Sequence, residues 1–136
     1  MTRISEAEYR ALSGTPSKEP KYHNKKVKYY DPDSKEAITF DSVKEYEYYL
    51  ILKDREKRGE IGGLKRQFKI EIQPAFTTPD GEKIQAINYI ADFVYYDMRA
   101  KEGYPRHIVD TKGVRTDLYK LKKKLLAYKG IYIEEV

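Results

Sequence analysis

Apolar residues recur along this chain at two spacings, one helical and one alternating, and together they predict its elements. Val43, Tyr46 and Leu50, with Tyr49 and Leu52 beside them, fall at helical intervals and predict a helix from about Val43 to Arg58. Asp41-Ser42 supplies its N-cap, Glu45 completes a capping box with Ser42, and Gly59 stops it. Phe68, Ile70 and Ile72 then alternate with Lys69 and Glu71, the pattern of a half-buried strand ending at Pro74. Thr78-Pro79-Asp80-Gly81 is a turn, Ile84–Tyr96 a long β-prone stretch, and His107–Lys112 a short strand halted by Gly113. Leu118, Leu121, Leu125 and Tyr128 form one apolar stripe of a last helix, capped by Thr116 and stopped by Gly130. Ile131–Ile133 reads as a final strand.

Upstream of this core, Lys26–Tyr30 and Ala37–Phe40 flank Asp31-Pro32-Asp33-Ser34, residues suited to a turn, which predicts a hairpin. Ser5 and Glu8 mark the start of a short N-terminal helix, and the turn-rich run Ser13–Pro20 reads as a linker. Residues 1–20 are therefore expected to be an appendage and 21–136 a single domain. The order α, β, β, β, α, β after a hairpin predicts an α/β fold with a mixed sheet.

Composition narrows the chemistry. Cysteine is absent, which excludes disulfides, thiolate metal sites and cysteine nucleophiles; a metal must sit on oxygen ligands or on His23 or His107. Charged residues make up 36% and mean hydropathy is −0.82, values typical of a disordered chain, but 14 tyrosines argue for a packed core. The formal charge of +5 favours a polyanionic partner modestly. No apolar run approaches the ~20 residues of a membrane-spanning helix, and Met1–Arg10 lacks a signal-like segment, so a soluble cytoplasmic protein is expected.

Most of the acids suit a solvated surface, but Asp92 and Asp110 interrupt apolar strands. Asp92 lies between Ile90-Ala91 and Phe93-Val94, and Asp110 follows Ile108-Val109. Aspartate is a poor strand former, and a lone buried carboxylate is costly. Two strands joined by a short connection pair antiparallel and bring Asp92 near Asp110. Such a pair repels unless a cation lies between, and oxygen ligands suit a divalent one. The plainer account makes Asp110 and Lys112, which share a strand face, an ion pair, with Asp92 accepting backbone hydrogen bonds.

Three segments sharpen the choice: Phe40-Asp41-Ser42-Val43-Lys44-Glu45, Tyr89-Ile90-Ala91-Asp92-Phe93, and Asp110-Thr111-Lys112-Gly113. Their residues and order resemble the PD-(D/E)XK nuclease superfamily. More closely, the chain is similar to a family of small phage-encoded proteins, labelled as a domain of unknown function and assigned to that superfamily. In this chain the last segment continues as Val114-Arg115-Thr116-Asp117-Leu118-Tyr119-Lys120-Leu121-Lys122, in keeping with that family's pattern. The similarity runs from about Lys21 to Val136, with Ala91 in place of the superfamily's nominal proline.

The resemblance implies a restriction-endonuclease-like core and a metal-dependent DNA endonuclease acting in phage recombination, repair or genome processing, with branched DNA such as Holliday junctions a specific substrate. Cleavage would leave 5′-phosphate and 3′-hydroxyl ends, and dimerisation would let two sites cut two strands. Asp92, Asp110 and the Thr111 carbonyl become ligands of Mg²⁺ or Mn²⁺, and Lys112 orients the attacking water. Glu45 either joins the metal or only caps its helix, and Gln67 either touches the site or is ordinary surface. Arg115, Lys122, Lys123 and Lys124, with Lys25 and Lys26 from the hairpin, are candidate DNA contacts, though lysine-rich faces are also ordinary solvated surface. The competing class is a catalytically inactive nucleic-acid-binding protein that keeps the fold.

Overall fold

The computed structural model describes residues 25–111 and 114–136. The expected N-terminal helix and linker, His23, Lys112 and Gly113 lie outside the described residues. The chain divides into two compact units, with the boundary between Val43 and Lys44.

In the first unit, β1 (Val27–Tyr30) and β2 (Ala37–Phe40) form the expected antiparallel hairpin, from Val27↔Phe40 to Tyr30↔Ala37. Asp31 closes the turn: its Oδ1 accepts the Asp33 amide at 2.9 Å and its carbonyl accepts the Lys35 amide at 2.8 Å. Satisfying local amides in this way is why aspartate favours turns. Lys25 and Lys26 are exposed just before β1.

The larger unit is mixed α/β. Helix α1 (Val43–Lys57) begins at the boundary and precedes β3 (Ile61–Gln73); β4 (Phe76–Thr77) and β5 (Lys83–Ile84) make a small hairpin; β6 (Ile87–Asp97), β7 (Arg106–Asp110), α2 (Asp117–Tyr128) and β8 (Ile133–Glu135) follow. The main sheet has the order β3-β6-β7-β8, antiparallel except for the parallel pair β7–β8 that α2 connects. Phe93 packs its ring on Tyr48 and Tyr49 of α1, while the next residue, Val94, belongs to a core with Tyr119 and Leu126 of α2. Neighbouring strand residues point to opposite faces, so the two helices cover opposite sides of the sheet. Among the described residues, no helix is long and apolar enough to cross a membrane.

Both helix ends follow the sequence signals. Gly59 has φ 77°, and the Glu60 amide reaches back to the Arg55 carbonyl at 3.0 Å, a Schellman closure. Thr116 caps α2 by accepting the Tyr119 amide at 3.1 Å, and Gly130 with φ 83° ends it. The same closure corrects the last strand. The Ile131 amide bonds back to the Leu126 carbonyl at 2.9 Å, so Ile131 belongs to the helix cap and the ladder starts at Ile133. The β-prone stretch from Ile84 is also divided: Ile84 pairs with Phe76 across the Thr78–Gly81 turn, and β6 starts afresh at Ile87.

The apolar stripe of α2 turns outward. Tyr119 and Leu126 are its buried residues, whereas Leu118, Leu121, Leu125 and Tyr128 are 61%, 54%, 39% and 94% exposed. Acceptors on the facing sheet explain the inversion. Lys122 Nζ donates to the Asn88 carbonyl at 2.8 Å, Lys123 to Glu135, and Lys129 just past the helix to the Ile72 carbonyl. Lysine stems pack while their ammonium groups find partners, so this face turns inward and the leucines do not.

Candidate functional site

The site is built at the end of the β6–β7 pair. The ladder runs from Tyr96↔Arg106 to Phe93↔Val109, and Asp92 and Asp110 are the next residues beyond its last pair. Asp110 is fully buried, Thr111 is buried, and Asp92 is half-buried. Thr111 fixes Asp92: both its amide and its hydroxyl donate to Oδ2, each at 2.9 Å. On its other side Asp110 pairs with Glu135 in the parallel ladder, and its carbonyl accepts the Val136 amide at 3.0 Å. Removing a carboxylate from water costs several kcal/mol, about enough to cancel much of a small domain's stability, so buried aspartates are paired or coordinate a cation.

A kink in the sheet aims these groups. The register Arg66↔Phe93 and Phe68↔Ala91 leaves Gln67 opposite Asp92, and Gln67 takes the left-handed φ of 49°. Phe93 stacks on Tyr49 of α1 at 6.3 Å, but Tyr89, four residues earlier, meets Tyr119 of α2 at 6.2 Å. An unbroken strand would turn both rings to one face. The alternation therefore reverses at Gln67 and Asp92. Left-handed backbone costs a non-glycine residue about 1–2 kcal/mol, and such irregularities gather beside functional sites.

The kink directs Gln67 to α1, where its Nε2 donates to Glu45 Oε1 at 3.1 Å. The Arg66 guanidinium lies 3.7 Å from the same oxygen and 6.0 Å from the centre of the Tyr49 ring. Glu45 is buried on the inward stripe that also contains Tyr49 and Leu52, whereas Val43 and Leu50 of the sequence pattern are exposed. Glu45 is thus joined to β3, and Gln67 is part of that network. Arg66 gave no signal in the sequence beyond being one more cation.

The pair Asp92–Asp110 suits a hard divalent cation in its donor chemistry. Both groups are carboxylates, and Thr111 fills only Oδ2 of Asp92; among the described residues no hydrogen bond reaches Oδ1. Among the same residues, no three Asp, Glu or His side chains gather closely enough to hold a metal, so Glu45 does not make a third member.

A second acidic position was hidden in the sequence. Glu135 accepts from Lys123, from Arg115 and from the Tyr119 hydroxyl, the last at 3.0 Å. The Lys123 hydrogen bond, more than Tyr119 or the charge of Arg115, holds its carboxyl below the usual range. Burial, then the Glu135 carboxylate and more weakly Asp110, push the Tyr119 phenol well above its ordinary value. Only the parallel β7–β8 register brings Glu135 beside Asp110, and no short-range pattern reports that.

The expected DNA contacts divide accordingly. Arg115 and Lys123 are engaged with Glu135, Lys122 with a sheet carbonyl, and Lys124 is exposed on the surface of α2. Lys25 and Lys26 belong to the other unit. His107 stacks on Tyr95 at 5.1 Å and its Nδ1 meets Glu134, a local pairing away from the aspartates.

No curated protein matches the chain. No solved structure matches it either. A family model described as "Protein of unknown function (DUF1064)" matches residues 19–135, nearly the whole chain, including the aspartate pair, its kinked strand and both helices, and the protein belongs to that family.

Proposed function

We propose that this protein is a metal-dependent DNA endonuclease that hydrolyses phosphodiester bonds at the Asp92–Asp110 strand end. The observation that carries the reading is the locked aspartate: Thr111 holds Asp92 Oδ2 through two bonds, no hydrogen bond among the described residues reaches Oδ1, and the wholly buried Asp110 follows the last ladder pair on the neighbouring strand. Structural ion pairing alone gives no reason to break the sheet's alternation at that residue. The element order α1-β3-β6-β7-α2-β8, with the small β4–β5 hairpin inserted, supports the likeness to restriction-endonuclease-like cores.

Asp92, Asp110 and the Thr111 carbonyl would hold Mg²⁺ or Mn²⁺. Such an ion, when bound, polarises a phosphoryl oxygen and makes water acidic enough to be a nucleophile near neutral pH. The residues of the chain do the remaining work. Thr111 fixes the carboxylate orientation; Glu45, through Gln67 and Arg66, braces the kink that presents it. Lys112 is assigned the orienting of the attacking water and positive charge opposite the developing anion. Arg115, Lys123 and Lys124 would hold the DNA backbone, with Lys122 adding to the positive field, and Lys25 and Lys26 of the smaller unit would be phosphate contacts of that unit by itself. A homodimer working on branched DNA is the version in which two such sites serve two strands.

One observation favours the inactive alternative: Glu45 is committed to Gln67 and Arg66, so the acidic set stops at two carboxylates. Incubating supercoiled plasmid and four-way-junction DNA with Mg²⁺ or Mn²⁺ decides between them. Cuts made by the wild type and lost in Asp110→Ala are expected. Gel-shifted but intact DNA with the wild type would establish the binder instead.

A further inference from the structure

Helix α2 leaves its most regular feature on the outside. Leu118, Leu121, Leu125 and Tyr128 repeat at three, four and three residues, the spacing of a coiled-coil seam, and all four are exposed. At 3.6 residues per turn they occupy an arc of about 80°, narrower than the apolar face of a helix lying in a core or on a lipid surface. Asp117 and Lys124 border this arc on one side, Lys122 and Lys129 on the other. The last two donate to backbone carbonyls, which leaves their charge unneutralised. Asp117 is the one acid of the helix. Beside Leu118 the arc continues into a groove of about 330 Å³ bordered by Ile90, itself 53% exposed, with Lys69 and Lys122 at its edges.

From this we infer that the outer face of α2 docks an acidic amphipathic helix of a partner protein, leucine-type residues meeting the seam and glutamates meeting the flanking lysines. The inference goes beyond the nuclease reading and does not depend on it. Charge selects the occupant. A second copy of the chain pairing through α2 would make as many lysine–lysine as Asp117–lysine contacts along the seam, where flanking positions need opposite charges throughout. Duplex DNA would satisfy the lysines and leave the leucines against phosphate. Lys123, which faces Glu135, lies about half a turn away from the seam and is left to DNA, whereas Lys122 and Lys124 would be contested between partner and DNA.

The test uses the full chain and a labelled synthetic helix of about three heptads, with Leu at the seam positions and Glu at the flanks. Saturable binding is expected, weakened by salt and absent for the same peptide with Lys flanks. The double variant Leu121→Asp/Leu125→Asp should weaken it by about tenfold or more while melting like the wild type. Failure of the wild type to bind, or equal binding of both peptides, overturns the inference. It is also overturned if sedimentation shows a wild-type dimer that these substitutions dissolve, since a second copy then covers the seam. Flotation of the wild type, but not the variant, with phosphatidylglycerol vesicles would assign the face to a membrane instead. DNA cleavage is not the readout, so loss of the nuclease reading leaves this result interpretable.

Discussion

Helix α1 buries a glutamate while exposing Leu50 and Ile51, and helix α2 turns half-buried lysines to the sheet while exposing three leucines and a tyrosine. Both carry apolar repeats, yet in both the inward face is the one with polar partners on the sheet. Opposite α1 the sheet offers donors, the Gln67 amide and the Arg66 guanidinium, and they receive Glu45. Opposite α2 it offers acceptors, the Asn88 and Ile72 carbonyls and the Glu135 carboxylate, and they receive three lysines. Where a sheet face carries strong hydrogen-bonding groups, satisfying them outweighs burying one more leucine, because an unpaired buried donor or acceptor costs about 1–3 kcal/mol.

The contrast between the two sides of α2 is the easiest to break. Leu126→Ala, at a wholly buried position, should cost about 2–5 kcal/mol in urea unfolding, whereas Leu121→Ala on the exposed seam should stay within about 0.5 kcal/mol. Similar losses at the two positions would mean that the seam is already packed.

The α1 side gives a smaller effect. Glu45→Gln keeps the shape but removes the charge facing Arg66, and a loss of about 1.5–3 kcal/mol is expected, the range for hydrogen bonds to charged groups. Gln67→Gly removes a hydrogen bond to the charged Glu45, about 1.5–3 kcal/mol, and relieves left-handed strain of about 1–2 kcal/mol, so a net loss of about 0.5–1 kcal/mol is expected. Cleavage should also fall in Gln67→Gly, because the kink is no longer braced. Unchanged cleavage would separate the kink from the site.

The smallest effect concerns pH. The Glu135 carboxyl is held below its ordinary value of 4.5, chiefly by Lys123. Its contribution to stability is therefore fully present above that value and is lost as pH falls through the lowered one. Glu135→Gln should flatten that part of the acid-unfolding curve and, by releasing Arg115 and Lys123, tighten DNA binding. A variant with the wild-type acid profile would contradict the assignment.

Local signals carried much of this architecture. Capping residues and glycines marked both helix ends, as Thr116, Gly59 and Gly130 show, and the alternation of Phe68, Ile70 and Ile72 marked β3. Asp92 and Asp110 stood out because aspartate is out of place in an apolar strand. What stayed hidden depends on contacts between distant segments. The outward turn of Leu118, Leu121 and Leu125 follows from acceptors on strands far away in the chain, and Glu135 becomes relevant only through its parallel pairing with Asp110. The kink at Gln67 had no signal either: glutamine is no marker of left-handed backbone, and the reversal shows only when Phe93 and Tyr89 are seen to meet different helices.

Mn²⁺ binding followed by electron paramagnetic resonance tests directly, without any substrate, the proposal that Asp92 and Asp110 hold a divalent cation between them. The wild type should take up Mn²⁺, Mg²⁺ should compete for it, and both Asp92→Asn and Asp110→Asn should abolish uptake while remaining folded. A wild type that takes up no Mn²⁺, or binding that survives in both variants, would contradict the account.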